Sequence, residues 1–392
     1  MNPDKKKRVL LVGMADSIHV ARWLDVAAND HALEILMVPT SPHRRIHPKI
    51  QERLSNYDFT AGVGLKMSWF LKVFSLPIWV LDRDWLFAGK LRAAFIAQEI
   101  KAFSPHLVHI METQNGGYPF AIAQAGKERS YRTMLTLFGS DLFWFSQFPS
   151  HLRRIKGLLP LVDVLSAECA RDIDHAQELG FAGQTLELTP VSGGLEASEI
   201  ASAEDGDAFA SRNLIAVKGY GGTWGQGAVA IQALGTLSNK LKGRAVVIYS
   251  AEKPAIRAAK KYLEPQGVSY RIHQKFGLTH KQVLELYRKS RIYVGLSKSD
   301  GLPASMLEAM SQGAYPIQTS TACIDGWLTD GSSGTSINVV SISQVASALD
   351  FALGNDEFLI AAQKINLKTI REKYSKSAFA DQAAITYAKL LG

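Results

Sequence analysis

Cysteine is scarce here: Cys169 and Cys323 are the two in 392 residues, too few for a disulfide framework or a cysteine-built metal cluster, which suits a reducing compartment. Long apolar runs are missing as well. The strongest, Ser68 to Leu81, is interrupted by Lys72 and Pro77 and is too short to cross a bilayer. The opening MNPDKKKRVLLVGM has basic residues but a very short apolar run before Asp16, which argues against a secretory signal. No aromatic-basic nucleic-acid module stands out, and a net charge of +8 is modest for the length, so nucleic acid is a weak candidate partner. No Asp-any-Asp pair follows an apolar strand, a common way of holding a divalent metal, so no metal is expected. What remains is a cytoplasmic chain, 47% hydrophobic, long enough for roughly two to three domains with substantial cores.

The most informative stretch is SKSDGLPASMLEAMSQG, Ser297 to Gly313. Pro303 suits the first helical position, Met306, Leu307 and Met310 recur at helical spacing, and Gly313 suits a C-terminal cap. RIYVGLS before it, Arg291 to Ser297, reads as a buried strand. Asp300, Gly301 and the first amides of the helix then stand where a strand of an open α/β sheet meets its ligand crevice. Unpaired N–H groups at Ala304 and Ser305, with the positive end of the helix dipole, would hold a phosphate, and Gly301 lets a ligand approach the backbone. From Pro303 to Glu308 a helix already rises roughly 7.5 Å, so Asp300 and Glu308 are spaced too widely for a retaining glycosidase pair, which sits at about 5–5.5 Å. They suit two diol groups on either side of a phosphate, the shape of a nucleotide-sugar. Taken singly, each carboxylate also reads as an ordinary solvated side chain.

Acid, Gly-Leu-Pro, four residues, Glu-Ala-Met, two residues and Gly together resemble the donor-site signature of the retaining family-4 glycosyltransferases, which have the GT-B fold. The family's first Glu is here Asp300, one methylene shorter, and its second is Glu308. The resemblance implies that Asp300 contacts the transferred sugar, that the Ala304 and Ser305 amides hold the diphosphate beside Ser297, Gly301, Leu302 and Pro303, and that Glu308 binds the ribose hydroxyls. The donor it implies is a nucleotide-sugar co-substrate, a UDP-sugar ahead of a GDP-sugar, with no further cofactor.

In chain order, a strand at Arg8 to Val12, a loop at Gly13 to Ile18, a helix from about His19 and a strand at Leu33 to Val38 make a βαβ start. This segment resembles the first unit of many family-4 enzymes, where an acceptor meets the loop after the first strand, so Ser17 and His19 are acceptor-side candidates. His19 reads equally as a solvated residue at a helix start. From Pro42 to Phe103 the chain is basic and aromatic, with Arg44, Arg45, Lys49, Lys66, Lys72, Arg83, Lys90 and Arg92 among Trp69, Phe70, Phe74, Trp79, Trp85 and Phe87. That mixture fits peripheral contact with an anionic membrane. It also fits a core helix pair with charged outer faces, with Pro77, Asp82 and Asp84 breaking any single long amphipathic helix.

LVHIMETQNGGY and YRTMLTLFGSDLFW each read as a buried strand ending in a polar, glycine-containing loop. Both resemble family-4 segments at the ligand crevice, which makes Glu112 and Asp141 candidates for catalysis beside Asp300. Phe138 stands where the family often has histidine. ASAEDGDAFASR is small, polar and acidic, fitting a boundary. Beyond it a strand at Asn213 to Val217 leads into KGYGGTWGQG, a weak phosphate signal alone and a better one with Ser297–Gly313 in the same half. Lys218 and Gly219 take the family's first cation-bearing loop position. Gln226 occupies the second, leaving Lys275 or Lys298 to supply that charge.

The expected fold is therefore α/β with GT-B architecture, two facing Rossmann-like domains with a cleft between them. Residues 1–194 form the acceptor domain, with a helix from about 375 to 392 packing back on it, and residues 195–374 bind the nucleotide-sugar. The expected reaction is metal-independent, retaining transfer of a sugar to a glycan, lipid-linked or protein acceptor in bacterial surface glycan or glycolipid synthesis, at or near the inner face of the cell membrane. Two other readings stand beside it: a nucleotide-sugar epimerase on the same fold, and a catalytically silent subunit that binds a nucleotide-sugar.

Overall fold

The computed structural model describes residues 6–27, 33–40, 46–58, 62–82, 87–202 and 206–391. Arg44, Arg45, Arg83, Asp84 and Trp85 of the basic and aromatic stretch lie outside the described residues, as do the side chains of Trp69, Phe70 and Lys72. The chain divides into two compact units, residues 1–193 with 379–392 (unit 1) and 194–378 (unit 2).

Unit 1 is built on β1 (Lys7–Gly13), β2 (Leu33–Pro39), β3 (Gly64–Met67), β4 (Leu107–Met111), β5 (Arg132–Thr136), β6 (Val164–Ser166) and β7 (Gln184–Thr185). They form one parallel sheet in the order β3-β2-β1-β4-β5-β6-β7. KRVLLVG and LVHIM form its centre because strands covered by helices on both faces bury nearly every side chain. Around the sheet run α1 (Ile18–Ala27), α2 (Pro48–Ser55), α3 (Trp69–Leu81), α4 (Lys90–Phe103), α5 (Tyr118–Gln124), α6 (Ser140–Phe143), α7 (Pro149–Leu158) and α8 (Ala170–Glu178).

Two details differ from the sequence reading. Pro77 does not break the apolar segment: α3 runs through it and ends only at Asp82. Asp82 ends one helix and starts the next, since its carboxylate accepts the Leu91 and Arg92 N–H groups at 2.9 and 3.0 Å in the first turn of α4. After β4 the chain forms a π-helical turn, Thr113–Gly117, rather than an open loop.

Unit 2 repeats the plan with β8 (Leu214–Lys218), β9 (Ala245–Ala251), β10 (Ser269–Gln274), β11 (Ser290–Gly295), β12 (Tyr315–Thr319) and β13 (Thr335–Ile337), parallel in the order β10-β9-β8-β11-β12-β13. Its helices are α9 (Gly206–Ala210), α10 (Gly227–Thr236), α11 (Lys253–Tyr262), α12 (His280–Lys289), α13 (Ala304–Ser311), α14 (Ile342–Gly354) and α15 (Asp356–Lys373). Both sheets start in the Rossmann order 3-2-1-4, so the order reverses between β1 and β4 in unit 1 and between β8 and β11 in unit 2. Ligands of such sheets bind beyond the carboxyl ends of the strands at these points.

The last helix, α16 (Lys376–Leu391), buries Phe379, Ala383, Tyr387 and Leu390 in the core of unit 1 with Val9, Leu11 and Trp23. A polar bolt fixes it. The Tyr387 hydroxyl takes the Trp23 indole N–H at 2.9 Å and lies 2.8 Å from His109 Nδ1, while His109 Nε2 lies 2.8 Å from the Thr136 hydroxyl. Burial pushes the His109 imidazole down to about 3, so this histidine inside an apolar strand is a neutral structural group.

Candidate functional site

In unit 2, two loops leave the sheet at the β8/β11 reversal and are zipped together by backbone. Gly225 bridges Ser297, the Gln226 N–H donates to the Leu296 carbonyl at 2.9 Å, and the Lys298 N–H donates to the Trp224 carbonyl at 2.7 Å. The glycines allow this crowding. A Cβ on Gly225 would lie 2.4 Å from the Tyr220 carbonyl oxygen, and one on Gly227 would lie 2.5 Å from that of Lys218. Gly219 is likewise set by packing, with its missing Cβ directed at Ala251. Gln226, which occupies the position of the expected second cation, is the residue that starts α10 in this zipper.

The helix of the Ser297–Gly313 stretch begins one residue later than its sequence suggests. Pro303 is extended, at φ −70 and ψ 104, and caps α13, with its carbonyl accepting the Met306 and Leu307 N–H groups at 2.9 and 3.2 Å. The N–H groups of Ala304 and Ser305 meet no acceptor among the described residues. They are half-buried donors at the positive end of a helix. Ser305 contributes only its backbone, because its hydroxyl is 2.9 Å from that of buried Tyr293. Tyr293 is the end of an edge-on row of rings with Tyr287 and Tyr249, whose hydroxyls bond at 2.7 Å. Ser297 is buried and shares hydrogen bonds with Thr319; Leu302 is buried; Gly301 accepts the Cys323 N–H at 3.0 Å.

Glu308 is the charged group at this helix that the structure holds most firmly. It is buried, and its Oε1 lies 3.0 Å from Nε2 of His280 at the start of α12. Nδ1 of the same ring lies 3.7 Å from Glu199. Sequence reasoning missed His280; the Thr279–Gln282 capping box that places it was the available signal. Asp300 sits half-buried close enough to Tyr220 to help burial raise that hydroxyl's pKa, and Lys218 lies over the Tyr220 ring at 5.2 Å. Asp300 and Lys218 thus share a patch. Glu252 adds an acid on the other side of the glycine-rich loop, against Gly221. Lys298 is exposed. Lys275 is exposed over the ring of Phe276, which is 91% exposed and held at φ +66, a backbone conformation phenylalanine rarely adopts.

In unit 1, the Ser17 hydroxyl is committed to helix capping, accepting the His19 N–H at 3.2 Å. His19 packs its ring against Phe138 with centroids 5.2 Å apart. Burial, aided by Arg22, pushes its imidazole down to about 4. Glu112 and Asp141 are brought together. Glu112, at φ +87, takes the Gln114 and Asn115 N–H groups at 2.7 and 2.8 Å on its two oxygens; Asp141 takes the Thr113 N–H at 2.9 Å. Burial, then the Asp141 charge, pushes Glu112 up to about 8, and burial pushes Asp141 up to about 6. Both carboxylates are therefore anchored to backbone at the end of β4, one of them neutral at pH 7.

Residues 227–368, containing both α13 and its partner α12, match the family model of the glycosyl transferases group 1. The match makes that segment of unit 2 similar to this family. The architecture is GT-B. Over 98% of its length the chain is similar to the crystal structure of HepE from Anabaena in complex with UDP and glucose, at 10% identity and a TM-score of 0.67, covering 100% of that chain. Sucrose-phosphate synthase from Thermosynechococcus elongatus is similar over 98% of this chain and 99% of its own, at 14% identity and a TM-score of 0.67. A glycosyltransferase from Rickettsia africae gives 13% identity and a TM-score of 0.65 over 98% and 99%. No curated protein matches the sequence. At such identities the structural likeness is one of fold, and the group 1 match rests on the sequence of unit 2.

Proposed function

We propose that this chain is a retaining glycosyltransferase that moves a sugar from a nucleotide-sugar, a UDP-sugar by preference, to an acceptor hydroxyl in surface glycan or glycolipid synthesis. One observation carries the reading: two unmet amides at the N-terminus of α13, flanked by Asp300 and by a Glu308 fixed in place by His280. Amides and helix dipole take the diphosphate, Glu308 takes the ribose hydroxyls, and Asp300 takes the transferred sugar. Lys218 and Lys298 supply positive charge, and the exposed face of Phe276 offers the base a stacking surface. The Glu252 carboxylate beside Gly221 disfavours a phosphate on the glycine-rich loop, which leaves the α13 end as the better place.

In the step itself the bond from the anomeric carbon to the diphosphate oxygen breaks and the acceptor oxygen bonds the same face. The acceptor proton goes to the departing phosphate, and the hexosyl cation is balanced by that leaving group. Catalysis is then positioning and charge stabilisation, without a metal and without a covalent enzyme intermediate. Support for the acceptor being held on unit 1 comes from the Glu112–Asp141 pair and the His19–Phe138 contact, all on loops or first helical turns that follow the carboxyl ends of its strands.

The test is turnover. Purified protein, a panel of UDP- and GDP-sugars and a mixed acceptor extract, with EDTA present, should give nucleoside diphosphate and a product of unchanged anomeric configuration. Conversion of the free donor into an isomeric nucleotide-sugar would favour the epimerase, and donor binding with no turnover the silent subunit.

A further inference from the structure

The helix α3 lies along the carboxyl-end rim of the unit 1 sheet. It starts two residues after β3 and ends at Asp82, which holds the first turn of α4; there Arg92 reaches the Asn115 carbonyl, on the turn that follows Glu112, at 3.5 Å. Ile78 anchors α3 in the core beside Val38 and Ile96. Its other face shows Leu76, Val80 and Leu81 to solvent, 41 to 48% exposed. The apolar surface continues past the helix. The Gly89 N–H donates to the Asp82 carbonyl, the Phe87 carbonyl accepts the Lys90 N–H, and Gly89 lies against Ile122 of α5, bringing exposed Phe87 and Ile122 to the end of the same ridge.

Charge marks what this ridge meets. Lys90 is exposed at one side of it. On the other, α5 leads to α7 through the Tyr118 hydroxyl on His151, and α7 exposes Arg153 and Lys156 within a stretch, residues 142–162, that contains no Asp or Glu. Among the described cations of the basic stretch three are paired, Lys49 with Asp25, Lys66 with Glu34 and Arg92 with Asp82, and neighbouring Arg53 shares Asp25. Insertion of apolar side chains is therefore the main attraction and a few cations the lesser one. Five side chains at this exposure offer roughly 400 Å², against about 800 Å² per partner in a standard-size protein interface, so a second copy of the chain is a poor occupant. Among the described residues no helix is long and apolar enough to cross a membrane.

We propose that unit 1 docks by this ridge onto an anionic lipid surface and takes its acceptor from it, an amphiphile whose sugar or headgroup hydroxyl reaches the rim beside Glu112 while its apolar part stays in the bilayer. The inference rests on unit 1 being the acceptor half, but docking itself needs neither donor nor turnover, so its test stands apart.

The test is co-sedimentation of the full chain with vesicles of phosphatidylcholine and phosphatidylglycerol in equal amounts, at low and high salt. Wild type should pellet with them and stay partly bound at high salt. Leu81→Asp and Phe87→Asp should each lower the partition about ten-fold with unchanged Tm, and Arg153→Glu with Lys156→Glu should weaken low-salt binding only. Wild type left in the supernatant, or both apolar variants binding as wild type, would overturn the proposal. So would a wild-type dimer that Leu81→Asp converts to monomer.

Discussion

Glu112 shows how much a single residue can carry. A glutamate at φ +87 costs free energy, and a buried carboxylate costs more; the two backbone N–H groups on its oxygens offset only part of that, and burial still raises its pKa. The signs with pH follow from the shifts. Glu112 is raised to about 8 and Asp141 to about 6, so the folded state binds more protons than the unfolded one above the ordinary carboxylate range, and stability is lost as pH rises toward 8. His19 and His109, lowered to about 4 and about 3, act oppositely: their contribution is present above the ordinary histidine value and lost as pH falls below it. Glu112→Gln removes one titration and leaves the others. Its Tm should decline less than that of wild type between pH 5 and 8, because the variant has no proton to lose at this position. Parallel Tm curves for the two proteins would mean that Glu112 is already charged in the folded state.

At the scale of the element, the proposed site puts Asp300 just before α13 and Glu308 in its second turn. Ribose contacts exist in the ground and transition states alike, whereas the transferred sugar gains charge only during reaction. Glu308→Gln should accordingly raise the donor KM, and Asp300→Asn should lower kcat, each about ten- to a hundred-fold, since a charge-assisted hydrogen bond is worth about 1.5–3 kcal/mol. Steady-state kinetics separate the two, and unchanged KM and kcat in both folded variants would remove these side chains from the site. The sequence made α13 legible because Pro303, Met306, Leu307, Met310 and Gly313 are local signals of a helix and its ends. It hid His280, because a side chain 28 positions from Glu308 meets it only once α12 and α13 pack. Gln226 was opaque for a similar reason: its role lies in the backbone, in a bond to Leu296 that no side-chain chemistry announces.

Across the molecule, the apolar runs of the central strands were enough to read two α/β halves, because a parallel sheet covered on both sides leaves no alternation to misread. The strand order was not readable, and it is the order that puts the β8 and β11 loops side by side. Nor was the fate of Lys49, Lys66 and Arg92 in the basic stretch, which look available in sequence and are paired with Asp25, Glu34 and Asp82 in space. The central claim is that a diphosphate is held by the unmet amides at the start of α13. Proline is tolerated at the first position of a helix, and Pro303 before it is already extended, so Ala304→Pro deletes one of those two donors with little other change. The decisive measurement is calorimetric titration of this variant and wild type with the UDP-sugar that wild type turns over. A ten- to hundred-fold weaker Kd at unchanged Tm is the predicted result. Wild-type affinity in a folded Ala304→Pro protein would contradict it.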